Sequence, residues 1–386
     1  MAAPLPPLGL YVHLPWCEKK CPYCDFNSHE LTASRDSALP EREYIRQLLS
    51  DLEREAAALS NRLIQTLFIG GGTPSLFSAE AIKALMSGIA QRIPLAANLE
   101  ATMEANPGSA EAEKFAGFRD AGINRLSIGV QSFQDDKLAA LGRIHNGEQA
   151  LAAIEAARAA GFASFNIDLM HGLPGQDDAS AAADLHQAMA SGAPHVSWYQ
   201  LTLEPNTVFH KQPPELPEEN LLGDIQARGE GLLAGAGFRQ YEVSAYARSG
   251  FECRHNLNYW YFGDYIGIGA GAHGKLTHAD GRILRYSKTR KPADYLQAQG
   301  IAATGQRQLQ ESEIPGEFVM NALRLSRGFS LALFERHTGM ERAVLAETVA
   351  RLVERELLLE EGGIVRASAL GARYLDAVVG EFFPDN

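Results

Sequence analysis

Over about the first 240 residues, short apolar and β-branched runs alternate with longer stretches of helical periodicity. The runs predict strands at residues 8–13, 66–69, 99–104, 125–130, 165–170 and 195–202. The stretches between them predict helices at residues 41–59, 79–91, 110–121, 147–160 and 179–190. Strands that alternate with helices of this length favour βαβ units and a parallel sheet. Six such units predict an α/β fold of the partial (β/α)6, TIM-like type, two units short of a closed barrel.

The pattern changes after residue 240. Residues 253–274 are rich in glycine and aromatic side chains and show little periodicity. From about residue 311, three helical stretches precede a hairpin pattern with a turn at Gly362 and Gly363, which resembles a winged helix. We therefore predict a partial barrel at 1–240, a connecting segment at 241–310 and a helical, winged-helix-like domain at 311–386.

Charge narrows the classes of function. The net charge is −12, whereas a general nucleic-acid binder needs a basic face. Residues 311–386 contain eight arginines, no lysine and thirteen acidic residues, so DNA binding by a winged helix is not expected either. No apolar run approaches the roughly 18 residues of a membrane span, and the first residues have no basic region of the signal-peptide type. The expected location is the cytoplasm.

Three of the four cysteines, Cys17, Cys21 and Cys24, lie within eight residues. In a cytosolic chain such clustering indicates metal binding rather than disulfides. The C-x3-C-x2-C spacing lets one loop present three thiolates to three irons of a [4Fe-4S] cluster. The fourth iron would be open to an external amine and carboxylate, such as those of S-adenosylmethionine. Spacing alone leaves a zinc site open, with His13 or His29 as the fourth ligand.

Polar groups at successive strand ends favour the cluster over zinc. GGGTP at 70–74 follows the second predicted strand, Glu104 ends the third, Gln131 follows the fourth and Asp168 lies near the end of the fifth. Barrels of this type build their sites at that rim. Carboxylate and amide groups there suit ribose hydroxyls, and Arg143 in a nearby loop suits a carboxylate.

The cysteine motif after the first strand, GGGTP after the second and the six-unit half-barrel resemble the radical S-adenosylmethionine superfamily. Within it, YVHLPWC, GGGTPSL, GVQSF and DLMHGLPGQ are similar to oxygen-independent coproporphyrinogen III oxidase and its relatives. This resemblance implies a [4Fe-4S] cluster on the three cysteines and S-adenosylmethionine as cofactors. It also implies S-adenosylmethionine contacts at Tyr11, Gly71, Gly72, Thr73, Glu104, Gln131, Arg143 and Asp168.

The chain departs from the oxidases at two places. Phe26 stands where they carry a further cysteine, and their longer extension before the first strand is missing. Instead, HNLNYW at 255–260 matches the HNxxYW motif of the HemW group of heme chaperones. This resemblance implies heme as a further ligand at His255, Tyr259 and Trp260, heme-acceptor proteins and an electron donor as partners, and heme delivery as the function. Porphyrinogen oxidation by radical chemistry is the alternative, and cleavage of S-adenosylmethionine stays open.

Two readings of the heme residues also stay open. Histidine ligates heme iron through a ring nitrogen, and aromatic side chains cover the apolar macrocycle. His255 is equally compatible with a turn-capping role in which Tyr259 and Trp260 pack the barrel wall. His273 in GAGAHG is a candidate second axial ligand or part of a glycine-lined turn, and Cys253 is a candidate iron ligand or a buried apolar residue.

Overall fold

The computed structural model describes residues 5–31, 39–57, 59, 62–108, 112–298 and 303–384. Its strands are β1 (Leu8–Leu14), β2 (Trp16–Cys17), β3 (His29–Glu30), β4 (Ile64–Gly71), β5 (Leu95–Ala105), β6 (Arg125–Gln131), β7 (Ser164–His171), β8 (His195–Gln200), β9 (Arg239–Glu242), β10 (Ala245–Ala247), β11 (Asp264–Ile268), β12 (His273–Thr277), β13 (Ile283–Lys288), β14 (Ala303–Gln308), β15 (Phe329–Ser330), β16 (Leu358–Glu361) and β17 (Ile364–Ala367).

The helices of the first 240 residues are α1 (Glu41–Ala56), α2 (Ala79–Ala90), α3 (Phe115–Asp120), α4 (Asp135–Ala140), α5 (Gly147–Ala159), α6 (Asp178–Ala190), α7 (Val208–Lys211) and α8 (Glu219–Gly235). Those that follow are α9 (Arg254–Trp260), α10 (Pro292–Gln297), α11 (Ile314–Ala322), α12 (Leu331–Thr338), α13 (Ala343–Glu354), α14 (Ala369–Arg373) and α15 (Leu375–Gly380). None of the described helices combines the length and apolar character that crossing a membrane requires.

The six predicted strands correspond to β1, β4, β5, β6, β7 and β8, which lie side by side in parallel. The α/β prediction and its half-barrel are thus confirmed. Helices α1, α2, α5 and α6 match four predicted helices to within a few residues. The fifth predicted helix, at residues 110–121, corresponds to the shorter helix α3, which begins at Phe115. Ala110 lies outside the described residues.

The sheet continues beyond these six strands at both ends. Its order is β14-β13-β12-β11-β1-β4-β5-β6-β7-β8-β10-β9. Strand β11 pairs in parallel with β1, while β12, β13 and β14 continue antiparallel. Residues 241–310, which the aperiodic sequence assigns to a connecting segment, therefore form much of one wall of the same sheet.

The C-terminal residues build a second core around Phe318 and Phe334, both fully buried. Helices α11, α12 and α13 pack with an antiparallel sheet in the order β15-β17-β16. The β16–β17 hairpin turns at Gly362 and Gly363, both with positive φ, as predicted. Phe262 joins this core to the barrel, with its ring centroid 5.6 Å from that of Phe318.

Candidate active site in the half-barrel

The cysteine loop begins where β1 ends and is held by the glycine-rich loop after β4. The backbone N–H of Gly72 donates to the Leu14 carbonyl at 2.8 Å, and that of Thr73 donates to the Trp16 carbonyl at 2.7 Å. A Cβ atom at Gly72 would lie 2.4 Å from the Trp16 oxygen, so only glycine permits this approach. These two amides anchor the cysteine loop, and in this structure neither is free for a ligand.

The three cysteines are free thiols gathered on one loop. Cys17 is buried at the end of β2, and Cys21 and Cys24 are joined by a tight turn in which Cys24 N–H donates to the Cys21 carbonyl. Burial raises the pKa of the Cys17 and Cys24 thiols, so both are protonated at neutral pH and must release protons to bind iron. Arg143 places a guanidinium nitrogen 3.6 Å from the Cys21 sulfur, a cation suited to a thiolate.

The two histidines considered as zinc ligands are engaged elsewhere. Nδ1 of His13 is hydrogen-bonded to the Tyr11 hydroxyl and Nε2 to the Asn27 carbonyl, both at 3.0 Å. Nε2 of His29 is hydrogen-bonded to Oδ1 of Asn27. Among the described residues, no three His, Cys, Asp or Glu side chains are arranged to hold a single metal ion.

Two half-buried carboxyl groups, Glu104 and Asp168, lie on β5 and β7. Burial and the nearby Asp168 raise the pKa of Glu104 to about 7, and its Oε2 accepts from the Gly71 N–H at 3.0 Å. Burial also raises the pKa of Asp168, whose oxygens accept from Ser127 and Asn166 at 3.0 and 2.7 Å. Glu104 is the less satisfied acceptor, and an ammonium or ribose hydroxyl would stabilise its charged form.

The remaining predicted residues surround these acids. Gln131 has a φ of 69°, in the left-handed region, and its Oε1 accepts from Tyr199 at 2.8 Å. Arg143 donates to the Asn106 side chain at 2.8 Å and to the Gly129 carbonyl at 2.7 Å. Sequence reasoning missed Tyr199 and Asn106, although Asn106 directly follows the end of β5, which is the positional signal that identified Gln131.

A cavity of about 690 Å³ opens between the cysteine loop and the antiparallel wall. One side carries Tyr11, Gly71 and Glu104, and the other carries Tyr259 and Trp260. Its wall also includes Phe26, His273, Lys275, Arg285 and Arg290. Its volume lies within the roughly 300–1,000 Å³ of ligand and cofactor sites. The cavity thus brings together three of the predicted S-adenosylmethionine positions and two of the predicted heme positions. The other predicted positions do not line it: Gly72, Thr73, Gln131, Arg143, Asp168 and His255.

His255 lies behind this wall. It is 1 % exposed, and its ring nitrogens are hydrogen-bonded to Thr66 and Tyr259, each at 2.9 Å. Burial lowers the pKa of His255 to about 3, so the ring is neutral. Its backbone N–H donates to Glu100 at the start of α9. In this geometry His255 orients Tyr259, which does reach the cavity.

Trp260 and Cys253 have different surroundings. The Trp260 ring lies under the Arg324 guanidinium at 4.4 Å, and its buried Nε1 has no hydrogen-bond partner among the described residues. Cys253 is 1 % exposed, precedes α9 and lies near Glu100. Glu100 precedes Glu104 by four strand residues, about 13 Å at ~3.3 Å per residue. Cys253 is therefore remote from the cysteine loop.

The half-barrel and the cysteine loop at the carboxyl ends of its strands define a radical S-adenosylmethionine protein. The Radical SAM superfamily model matches residues 11–188, and the HemN C-terminal domain model matches residues 309–374. In structure the chain is similar to coproporphyrinogen III oxidase from Escherichia coli, with a TM-score of 0.82 over 99% of this chain and 91% of that one. At 23% sequence identity, this likeness shows the fold alone.

Comparison with curated relatives identifies the family within this superfamily. The chain is 47% identical to the heme chaperone HemW of Escherichia coli and 46% identical to that of Haemophilus influenzae, with 99% of each chain covered in both comparisons. It is 34% identical to the mitochondrial radical S-adenosyl methionine domain-containing protein 1 of Bos taurus, over 96% of this chain and 86% of that protein. The chain belongs to the HemW family.

Proposed function

We propose that this chain binds heme and delivers it to acceptor proteins, with a [4Fe-4S] cluster and S-adenosylmethionine held in the same half-barrel. The observation that carries the proposal is the single cavity shared by Glu104, Tyr11 and the Tyr259–Trp260 pair. Relatives named heme chaperones, at 47% and 46% identity over nearly the whole chain, support it.

The cluster would be held by Cys17, Cys21 and Cys24, and its chemistry is the donation of one electron to a bound sulfonium. S-adenosylmethionine would contact the eight positions that the resemblance implies: Tyr11, Gly71, Gly72, Thr73, Glu104, Gln131, Arg143 and Asp168. Glu104 offers a half-buried acceptor for an ammonium group. Gly72 and Thr73 support this site through the loop they anchor, because their amides donate to that loop.

Heme would lie in the cavity, against the wall formed by Tyr259 and Trp260. The proposed role of His255 as an iron ligand requires its ring to leave Thr66 or Tyr259, since both nitrogens are hydrogen-bonded. Heme-acceptor proteins and an electron donor complete the proposed set of partners. The free cysteines agree with a reducing compartment, and we propose the cytoplasm.

Anaerobic reconstitution of the full chain separates heme delivery from porphyrinogen oxidation. The protein is loaded with iron and sulfide, mixed with one equivalent of hemin and passed through a desalting column. We expect retained hemin with a defined Soret band, followed by transfer to an apo-heme protein.

A second sample receives coproporphyrinogen III, S-adenosylmethionine and a reductant. We expect no decarboxylated product. Formation of protoporphyrinogen, or failure of the chain to retain hemin, would overturn the proposal.

A further inference from the structure

The antiparallel wall places a histidine directly on the cavity. Side chains alternate between the two faces of a strand, so His273 and Lys275 of β12 share a face. In register, His273 pairs with Ser287 and Lys275 with Arg285 on β13, and all four residues line the cavity. Strand β12 therefore presents His273 to the space that Tyr259 and Trp260 border.

Three histidines lie on or just behind the cavity wall, and they differ in availability. His13 and His255 have both ring nitrogens hydrogen-bonded within the protein. His273 is exposed, and its ring has no hydrogen-bond partner among the described residues. Partial burial and the cations of Arg285 and Arg290 lower its pKa, so its imidazole is neutral at neutral pH, the form that binds iron.

The cations of the wall also differ in availability. Lys275 is paired with Asp264 at 3.0 Å, Lys288 with Asp51 at 2.8 Å, and Arg285 with Glu317. Arg290 is exposed and has no ion-pair partner among the described residues. Its backbone carbonyl accepts from the Asn27 side chain at 2.8 Å, which fixes this segment beside the cysteine loop. Arg290 is thus the wall cation available to a carboxylate.

An apolar surface faces the same space. Phe26 is 61 % exposed although it is a large aromatic side chain, and it lines the same cavity as Tyr259 and Trp260. A planar apolar macrocycle would cover Phe26 and the Trp260 ring. A free imidazole, a free guanidinium and the exposed Phe26 ring suit the iron, the propionates and the apolar macrocycle of a ferric porphyrin.

We propose that His273 is an axial ligand of the heme iron and that Arg290 pairs with a heme propionate, while His255 acts as a positioning residue for Tyr259. This inference rests on the proposed function, because it assigns ligands to the heme that the chain would carry. It differs from the motif-based assignment by placing the iron against β12 rather than against α9.

Hemin titration of the full-length, cluster-loaded protein tests the iron ligand. Loss of partners of metal ligands already lowers metal affinity about 10–100-fold, so His273→Ala should weaken hemin binding at least about tenfold and shift the Soret band. Free imidazole added to His273→Gly should restore the original spectrum. His186→Ala, at an exposed histidine on α6 outside the cavity lining, is the matched control and should behave as the wild type.

The outcomes are distinguishable. If the wild type does not retain hemin, the proposed function fails. If the wild type retains hemin and His273→Ala has the same affinity and spectrum, the ligand assignment fails while heme binding stands. His255→Ala is measured in parallel. The opposite outcome is that the spectrum of histidine-ligated heme is lost in His255→Ala and is not restored by free imidazole in His273→Gly. That pair of results would assign the iron ligand to α9 and overturn the assignment to His273.

Heme dimethyl ester tests the role of Arg290, because it lacks propionate charge. Pairs at exposed sites are worth less than about 1 kcal/mol, so Arg290→Gln should weaken binding of hemin roughly two- to fivefold. Binding of the dimethyl ester should not change. Equal weakening of both ligands, or no weakening of either, would overturn the propionate contact.

Discussion

The two sides of the cavity are built in different ways. On the parallel side, the groups that face the cavity come from strand ends and loops, as with Gly71 and the cysteine loop, and from Tyr11 within β1. On the antiparallel side they come from the faces of β12 and β13, as with His273 and Arg285. The parallel side concentrates free thiols and half-buried acids, while the antiparallel side holds Lys275, Arg285 and Lys288 in ion pairs.

The two sides differ in how far their charged groups are available to a ligand. Glu104 is a half-buried acid that lacks a cationic partner among the described residues, which is the condition of a group that awaits a ligand. Lys275 and Lys288 are almost fully buried but paired, so their charges are satisfied within the wall and are not available to a ligand. Among the described residues of the antiparallel wall, His273 and Arg290 are exposed and have neither a side-chain hydrogen bond nor an ion pair within the protein.

The largest effect should come from the cysteine loop. Replacement of Cys17, Cys21 or Cys24 by Ala should abolish the broad iron–sulfur absorbance of the anaerobically reconstituted protein, because the proposed site uses each of the three thiolates to hold one iron. Cys253→Ala is the control, since that thiol lies near Glu100 and away from the loop. Loss of the absorbance in Cys253→Ala would show that the fourth iron is not open.

A smaller effect, on the free energy of unfolding, is expected when a buried ion pair of the antiparallel wall is broken. Lys275→Met should lower the free energy of unfolding by about 3 kcal/mol, because it leaves the carboxylate of Asp264 buried. Arg62, 2.9 Å from Asp264, keeps the loss at the low end of the range for buried pairs. Urea unfolding followed by circular dichroism measures the change.

The control for Lys275 is an ion pair of the surface. Arg158 and Glu155 lie 3.2 Å apart with side chains 55% and 71% exposed, so Arg158→Met should change the unfolding free energy by at most about 0.5 kcal/mol. Similar losses in both variants would show that the buried position of the Lys275–Asp264 pair does not increase its effect on stability.

The difference between the parallel and antiparallel strands also explains which parts of the fold could be predicted from the sequence. Parallel strands are continuous apolar runs with polar residues at their carboxyl ends, so the positions of β4 to β8 and of Glu104 could be read from local pattern. Strand β11 could not, because DYIGI is short and glycine-containing, and its pairing with β1 joins residues about 250 positions apart.

The hydrogen-bond partners of side chains are the second feature that could not be predicted from the sequence. His255 was a candidate ligand by motif, but its ring is held by Thr66, 189 residues away in the chain. The direction of the Gly72 and Thr73 amides depends on Leu14 and Trp16, which only the folded loop brings near. His273 carried the same residue type as His255, and only the strand register placed it on the cavity.

The smallest effect concerns Glu104 and has a defined sign. Its pKa in the folded chain, about 7, exceeds its ordinary value of 4.5, so the folded state binds more protons than the unfolded state between these values. The contribution of Glu104 to stability is therefore greatest below about pH 4.5 and is lost as the pH rises through 7. Glu104→Gln should remove this slope and make the cofactor-free protein more stable at pH 8 by about 1–3 kcal/mol.

Urea unfolding at several values from about pH 5 to about pH 8 measures this slope. Glu360→Gln, at an exposed carboxylate on β16, should keep the pH dependence of the wild type. Added S-adenosylmethionine should reduce the difference between wild type and Glu104→Gln, because an ammonium beside Glu104 favours its charged form. Parallel stability curves for wild type and Glu104→Gln would mean that Glu104 is already stabilised as an anion, and the parallel side of the cavity would then resemble the paired wall opposite it.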